Sequence, residues 1–266
     1  MNGLILGTGV SFGKEPDIAR GVISAALDFG ICRFDTAPSY KTEDLIGEIL
    51  KEELNVRDMQ RNDIYIQTKI DAWQMQDGKI LTHVEDALGK LEIDFLDALL
   101  IHWPVPEYME STWKQMNEAR EIGFVKKIGI CNIRMRHLQK YVDWKPDIIQ
   151  IERHPLNTFE EEVSFCHDYC FEVQAYSPLC KMDDRIKNNN KLKAIADKYG
   201  KDVGQVVLRW HLDTGVSPVF TTTKRARVES YSKLDDFVLT QSEIETVNSL
   251  NENYKMYLES VACPGF

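Results

Sequence analysis

Short apolar runs alternate with longer amphipathic stretches along almost the whole chain. LILGTG precedes a predicted helix from about Pro16 to Phe29, ICRFDT one from Thr42 to Glu53, and IYIQTK one from Leu81 to Leu91. LDALLIH leads to a helix over Ser111 to Ile122, VKKIGICN to one over Met135 to Val142, and IIQIERH to one over Phe159 to Tyr169. FEVQAYS is followed by helical sequence between Leu192 and Leu212, and SPVFTTT by a helix from Arg225. The second helix shows the logic. Thr42 suits an N-cap, Glu43 and Asp44 suit the positive helix start, and Leu45, Ile46, Ile49 and Leu50 recur at helical spacing. Eight strand–helix units without a Pro/Ser-rich linker predict an α/β fold, a closed (β/α)8 TIM barrel, as a single domain over residues 1–266. QSEIETVNSL adds a further helix, so 241–266 is read as a C-terminal helix and tail carrying Tyr254, Tyr257 and Phe266. Such an aromatic tail must pack, and the barrel mouth and the outer helix layer are equally open to it.

Composition narrows the class. A length of 266 residues is ordinary for one barrel, and no apolar run approaches the roughly 20 residues of a membrane span. The net charge of −10 argues against nucleic-acid or anionic-membrane partners. The start MNGLILGTGV lacks the basic region of a signal peptide, and the six cysteines are scattered through periodic segments, which predicts free thiols and a cytoplasmic protein. Cys166 and Cys170 lie one helical turn apart with no second pair, so no metal site is expected. TTTKRARVES concentrates Lys224, Arg225 and Arg227 in an otherwise acidic chain, either as a solvated helix start or as a pocket for one small anion.

Several apolar strands end in reactive groups. In order they are Asp35, Lys69, His102, Asn132, Gln150 with Glu152 and His154, and Tyr176 with Ser177. In a barrel these ends gather at one face, where the chemistry of such enzymes is done. Tyr40 lies in the loop after Asp35. A phenol with an ordinary pKa of about 10 is a poor acid until a cation stabilises its phenolate. Lys69 would do that, Asp35 would keep the ammonium charged and oriented, and His102 would hydrogen-bond a substrate oxygen. The set is suited to protonating a carbonyl oxygen. It contains no nucleophile and no metal cage, so electrons must come from a cofactor.

With DTAPSY, TK at Thr68 and Lys69, IHWP at Ile101 to Pro104, GICN at Gly129 to Asn132 and YSPL at Tyr176 to Leu179, in this order on successive strands, the chain resembles the aldo-keto reductases from about Gly3 to Asn251. The resemblance implies NADPH-dependent reduction of an aldehyde or ketone, with Asp35, Tyr40, Lys69 and His102 as the catalytic tetrad and Tyr40 as proton donor. It further implies that Asn132 and Gln150 hold the nicotinamide carboxamide and that Tyr176 stacks on the ring. Thr8, Asp35 and Cys131 would border the cofactor, and Ser177, Leu179 and Lys181 would line its pyrophosphate and ribose path. Thr221 and Thr222 stand where the family has a lysine-serine pair, and Arg227 where it has the arginine that clamps the 2'-phosphate. NADPH is favoured, and use of NADH stays open because the lysine is missing.

Other departures are informative. Cys131 replaces a serine, which should weaken one hydrogen bond to the carboxamide, and Asp71 replaces the tryptophan two places after the strand-three lysine. Trp103 is expected to wall the substrate pocket in an open mouth, with Phe12 and Trp73 as candidates to join it, core or outer packing being equally open to Trp73. The partner is a small carbonyl compound, and an acidic surface permits a monomer. Three rivals are a nucleotide-binding regulatory or sensor subunit, a Schiff-base aldolase using Lys69, which would need an unpaired amine, and a metal-dependent hydrolase, against which His102 and His154 stand isolated on different strands.

Overall fold

The computed structural model describes residues 3–9 and 11–258. Its centre is a closed barrel of eight parallel strands in sequence order, β1 beside β8. The first half runs β1 (Ile5–Gly7), α1 (Ser11–Lys14), α2 (Pro16–Asp28), β2 (Arg33–Asp35), α3 (Glu43–Arg57), β3 (Tyr65–Ile70), α4 (Ala72–Asp77), α5 (Ile80–Leu91), β4 (Leu96–Ile101) and α6 (Met109–Glu121). The second runs β5 (Val125–Cys131), α7 (Met135–Tyr141), β6 (Ile148–Glu152), α8 (Glu160–Asp168), β7 (Glu172–Tyr176), α9 (Asp184–Lys187), α10 (Asn190–Tyr199), α11 (Val203–Asp213), β8 (Val216–Phe220), α12 (Arg225–Ser232) and α13 (Gln241–Asn248).

Each predicted unit is present, with local differences. The helical stretch between Leu192 and Leu212 is two helices, because Gly200 at φ +64° turns the chain left-handed after α10, and Asp202 then caps α11 through the backbone N–H of Gln205. Thr42 sits at the N-cap of α3, but its hydroxyl donates to the Thr8 carbonyl instead of capping the helix. Glu43, in the first turn of α3, is buried and accepts from the Thr68 hydroxyl at 2.6 Å. Cys170 falls beyond the end of α8 at φ +59°, while Cys166 is buried within it. The described cysteines are free thiols, and Cys263 and Phe266 lie outside the described residues.

Strand alternation sorts side chains into two environments. In β4, Leu99 and Ile101 join one large apolar cluster with helix residues such as Val22, Ile46 and Met116, whereas Ala98 and Leu100 face the bore with Cys131 and Ile148. Gly129 in β5 marks the tightest approach in the bore, since a Cβ there would lie 2.3 Å from the Ile148 carbonyl oxygen. Polar side chains share the bore. Gln67 of β3 and Gln174 of β7 exchange two amide hydrogen bonds of 2.8 and 3.0 Å, and because those strands are not neighbours the bonds cross the barrel interior. No helix among the described residues is long and apolar enough to cross a membrane.

Candidate active site

The strand ends set the site. The register pairs Gly7 with Asp35 and Asp35 with Gln67, and it places Lys69 opposite Leu100, so successive carboxylate, ammonium and imidazole groups rise to the same face. Asp35 ends β2, Lys69 lies near the end of β3, His102 follows β4, and Tyr40 is carried by the 3-10 turn Pro38–Tyr40. Lys69 Nζ donates to Asp35 Oδ1 at 2.7 Å and to the Thr36 carbonyl at 2.9 Å, and lies 3.3 Å from the Tyr40 hydroxyl. The other carboxylate oxygen of Asp35 accepts from Gln67 at 2.5 Å and from Gln150 at 3.0 Å. The His102 ring meets the Tyr40 ring edge-on at 5.7 Å, and its Nδ1 lies 2.5 Å from Asp71 Oδ1.

Burial and charge compete at each group. Burial pushes the Tyr40 phenol up to about 12, against the opposing pull of Lys69. Burial alone would lower Lys69, but its interactions with Asp35, Tyr40 and Cys131 together outweigh that and the net displacement is upward. Burial also lowers His102, with Lys69 adding to that and Asp71 opposing it. Tyr40 is therefore a protonated phenol beside a fixed cation, and His102 is a neutral imidazole at neutral pH.

Asp35, Tyr40 and His102 border a cavity of about 410 Å³, whose wall includes Gly7, Trp103, Asn132, Gln150, Tyr176, Ser177 and Thr221. Ser177, Val219, Thr221 and Tyr257 are shared with a second cavity of about 610 Å³, which runs on past Leu179 and Lys181 to Arg227. Together they make one elongated cleft with acid–base groups at one end and cationic side chains at the other. Asn132 is fixed between the His102 carbonyl, to which it donates at 2.8 Å, and the Tyr176 hydroxyl, from which it accepts at 2.6 Å.

The structure therefore brings together Asp35, Tyr40, Lys69, His102, Trp103, Asn132, Gln150, Tyr176 and Ser177 around the first cavity, with Lys69 bonded just beneath the phenol, and Leu179, Lys181, Thr221 and Arg227 around the second. Two expected pocket residues are corrected. Phe12 is buried in the large apolar cluster, turned inward by α1, and Trp73 is exposed on α4 with its ring edge-on to His83. Three expected cofactor residues do not line either cavity. The Thr8 hydroxyl is buried and donates to the Asp35 carbonyl at 3.0 Å, the Cys131 thiol lies beneath Gln150 at 3.8 Å from its Oε1, and the Thr222 hydroxyl accepts from the Lys224 backbone N–H before α12. Arg225, from the same basic cluster as Arg227, is paired with Asp28 of α2 at 2.8 Å.

The tail settles at the mouth, not on the helix layer. The backbone N–H groups of Met256 and Tyr257 donate to the buried Glu152 carboxylate at 2.6 and 3.0 Å, and Tyr257 then packs edge-on against Tyr176 at 5.9 Å. His154 also contacts Glu152, at 3.0 Å. The mouth is consequently narrower than expected, with Tyr257 between the two cavities. Sequence reasoning missed the part played by Glu152, and its only signal was a carboxylate at a strand end.

The Aldo/keto reductase family model matches residues 3–252. The chain belongs to the aldo-keto reductase family. It is 32% identical over 257 residues to a methylglyoxal reductase of Escherichia coli O157:H7, covering 94% of this chain and 90% of that protein. It is 31% identical over 255 residues to a glyoxal reductase of Bacillus subtilis (strain 168), again covering 94% of this chain and 90% of that protein. The crystal structure of an aldo-keto reductase of Bombyx mori in complex with NADP superposes with a TM-score of 0.89 at 30% identity, covering 97% of this chain and 92% of the other. For an aldo-keto reductase, the elongated cleft has the shape and polarity a dinucleotide needs: amide groups at the acid–base end, an aromatic face at Tyr176, and Arg227 at the far end.

Proposed function

We propose that this aldo-keto reductase reduces an aldehyde or ketone to the alcohol with NADPH, Tyr40 being the proton donor. The observation that carries the reading is the Lys69 ammonium, held at 2.7 Å by Asp35 and placed 3.3 Å from the Tyr40 hydroxyl beside a cleft long enough for a dinucleotide. When bound, the nicotinamide supplies hydride to the carbonyl carbon. Tyr40, whose proton burial holds even more firmly than in an ordinary phenol, is protonated at neutral pH and donates that proton to the carbonyl oxygen as negative charge develops there. Lys69 stabilises the phenolate left behind, and Asp35 holds Lys69 charged and aimed. Asn132 and Gln150 orient the carboxamide, and Tyr176 and Trp103 exclude water from the reacting end.

Arg227 supports a preference for NADPH, since a charge-assisted contact to the 2'-phosphate contributes about 1.5–3 kcal/mol, or one to two decades over NADH. The relatives named methylglyoxal and glyoxal reductases make short aldehydes the substrate class to test first. The Schiff-base alternative is disfavoured because Lys69 is paired and charged. Scattered free thiols support a cytoplasmic location, and the net charge of −10 argues against a nucleic-acid partner.

The test is a pair of fluorescence titrations with NADPH and NADH, followed by addition of methylglyoxal and a panel of simple aldehydes. Tighter binding of NADPH and aldehyde-dependent loss of its absorbance are expected. Binding without turnover of any aldehyde would favour a sensor subunit, and binding of neither nucleotide would overturn the reading.

A further inference from the structure

Residues 252–257 cross the mouth of the cleft and are anchored in two unequal halves. The outer half is riveted to the loop after β6 and to α9. The backbone N–H groups of Glu252 and Tyr254 donate to the Leu156 carbonyl at 3.1 and 2.9 Å, Arg185 donates to the Glu252 carboxylate at 2.8 Å, and its guanidinium lies 4.2 Å from the centre of the Tyr254 ring. The inner half depends on one group. Met256 and Tyr257 donate their backbone N–H groups to the two oxygens of the buried Glu152 carboxylate, and among the described residues they use no other acceptor.

This arrangement holds itself closed. Glu152 Oε1 also meets His154 Nε2 at 3.0 Å, so the carboxylate is satisfied with the chain in place and loses two of its three partners when the chain lifts. Stranding a buried charge in that way is costly, which keeps the open form rare. Two successive backbone groups bound to one carboxylate also fix the direction of the Tyr257 side chain. Its ring packs edge-on against Tyr176 and lies 5.6 Å from Lys181 Nζ. The same ring walls both the cavity that holds the acid–base groups and the one that reaches Arg227. A dinucleotide extending from one to the other has to pass Tyr257.

We propose that residues 252–257 are a strap across the cofactor cleft, that Glu152 is its latch, and that the nucleotide enters and leaves only while Met256 and Tyr257 are released from that carboxylate. Glu152 lines neither cavity, so it is a positioning residue that acts through Tyr257. The inference rests on the reductase reading above and adds a gate to its cofactor site.

A gate has a kinetic signature that an ordinary binding contact lacks. Weakening a contact speeds release alone, whereas weakening a latch speeds entry and release together. Stopped-flow quenching of protein fluorescence gives both rate constants for NADPH in the wild type, Glu152→Gln and Tyr257→Ala. The first variant keeps the shape of residue 152 but sets an amide N–H against one N–H of the strap. The second removes an exposed ring and leaves the latch in place. In Glu152→Gln, association and dissociation should both rise by about tenfold, with Kd within about threefold of the wild type. Tyr257→Ala should also raise both, and it decides by the same criterion if Glu152→Gln does not fold. Association at or below the wild-type rate overturns the gate, whatever dissociation does. The wild type supplies a check that needs no variant. Saturating NADPH should slow amide exchange at Met256 and Tyr257 by about fivefold or more, because a nucleotide packed against Tyr257 favours the closed strap. Exchange indifferent to NADPH overturns the proposal and leaves the reductase reading intact. Failure of the wild type to bind NADPH or NADH overturns both.

Discussion

The outer jacket of this barrel is apolar, whereas its bore sets a polar column beside a small apolar cluster of Ala98, Leu100, Cys131 and Ile148. Between strands and helices, Leu99, Ile101, Val22, Ile46 and their neighbours form one continuous apolar cluster, whereas across the bore Asp35, Lys69, Gln67, Gln150 and Gln174 form a connected polar column. Burial in the jacket stabilises by area removed from water, about 25 cal/mol per Å², and tolerates exchange of one apolar shape for another. The bore gains little net stability from its hydrogen bonds, but each partner removed leaves another stranded out of water. What the bore supplies is direction: the Asp35 carboxylate is held by two amides on one oxygen while the other faces the ammonium. The jacket holds the strands, and the bore aims what stands on their ends.

The largest break in that comparison should come from Lys69→Met. It leaves Asp35 buried without its cation, so unfolding by urea should show a loss of about 3–5 kcal/mol, and turnover of the folded fraction should fall by about a hundredfold or more. Next, Leu99→Ala in the jacket should cost about 2–5 kcal/mol while the folded fraction keeps its kcat. Gln67→Leu in the bore should show the inverse balance, about 1–3 kcal/mol of stability but roughly a tenfold lower kcat, because Asp35 loses a 2.5 Å bond. Adding Gln174→Leu also takes an acceptor from Gln150 and a donor from Glu172, so the double variant should lose further stability and regain none of its rate.

A smaller effect is expected at the tail. Glu152→Gln replaces an acceptor of two backbone N–H groups with an amide that also donates, so hydrogen-exchange protection at Met256 and Tyr257 should drop by about tenfold with the barrel amides unchanged. The smallest is a pH effect. His102 and His211 are both held below their ordinary value by burial, so the unfolded chain takes up protons near pH 6.5 where the folded chain does not. The stability they contribute is fully present above about pH 6.5 and is lost as pH falls through the window below it. Thermal unfolding at pH 7.5 and 5.5 should show the loss, reduced in His211→Asn.

Much of this was legible along the chain, for a physical reason. A strand buried on both faces reads as an apolar run, so Asp35, Lys69, His102 and Asn132 at the ends of such runs stood out, and a barrel delivers every strand end to one face. Periodicity fixes the face of a strand residue but not the direction of a loop side chain, which is why Phe12 and Trp73 were expected at the mouth and lie elsewhere. Gln67 and Gln174 gave no signal, because their partnership runs across the bore between strands far apart in sequence. Asp71 was visible only as a departure from the family pattern. Its meaning needed the 2.5 Å contact with a histidine from another strand. The tail's place at the mouth followed from Glu152, whose carboxylate gave no hint that its partners would be backbone groups more than a hundred residues on.

The most direct test of the account is Tyr40→Phe, with NADPH binding followed by fluorescence and a single turnover with methylglyoxal followed by NADPH absorbance. The substitution removes one hydroxyl from a ring whose edge contact with His102 does not depend on it. Binding should stay within about twofold of the wild type while the rate falls by about two to four orders of magnitude, the usual contribution of a positioned general acid. A variant that binds the cofactor and reduces the aldehyde at the wild-type rate would contradict the assignment of Tyr40 as the proton donor.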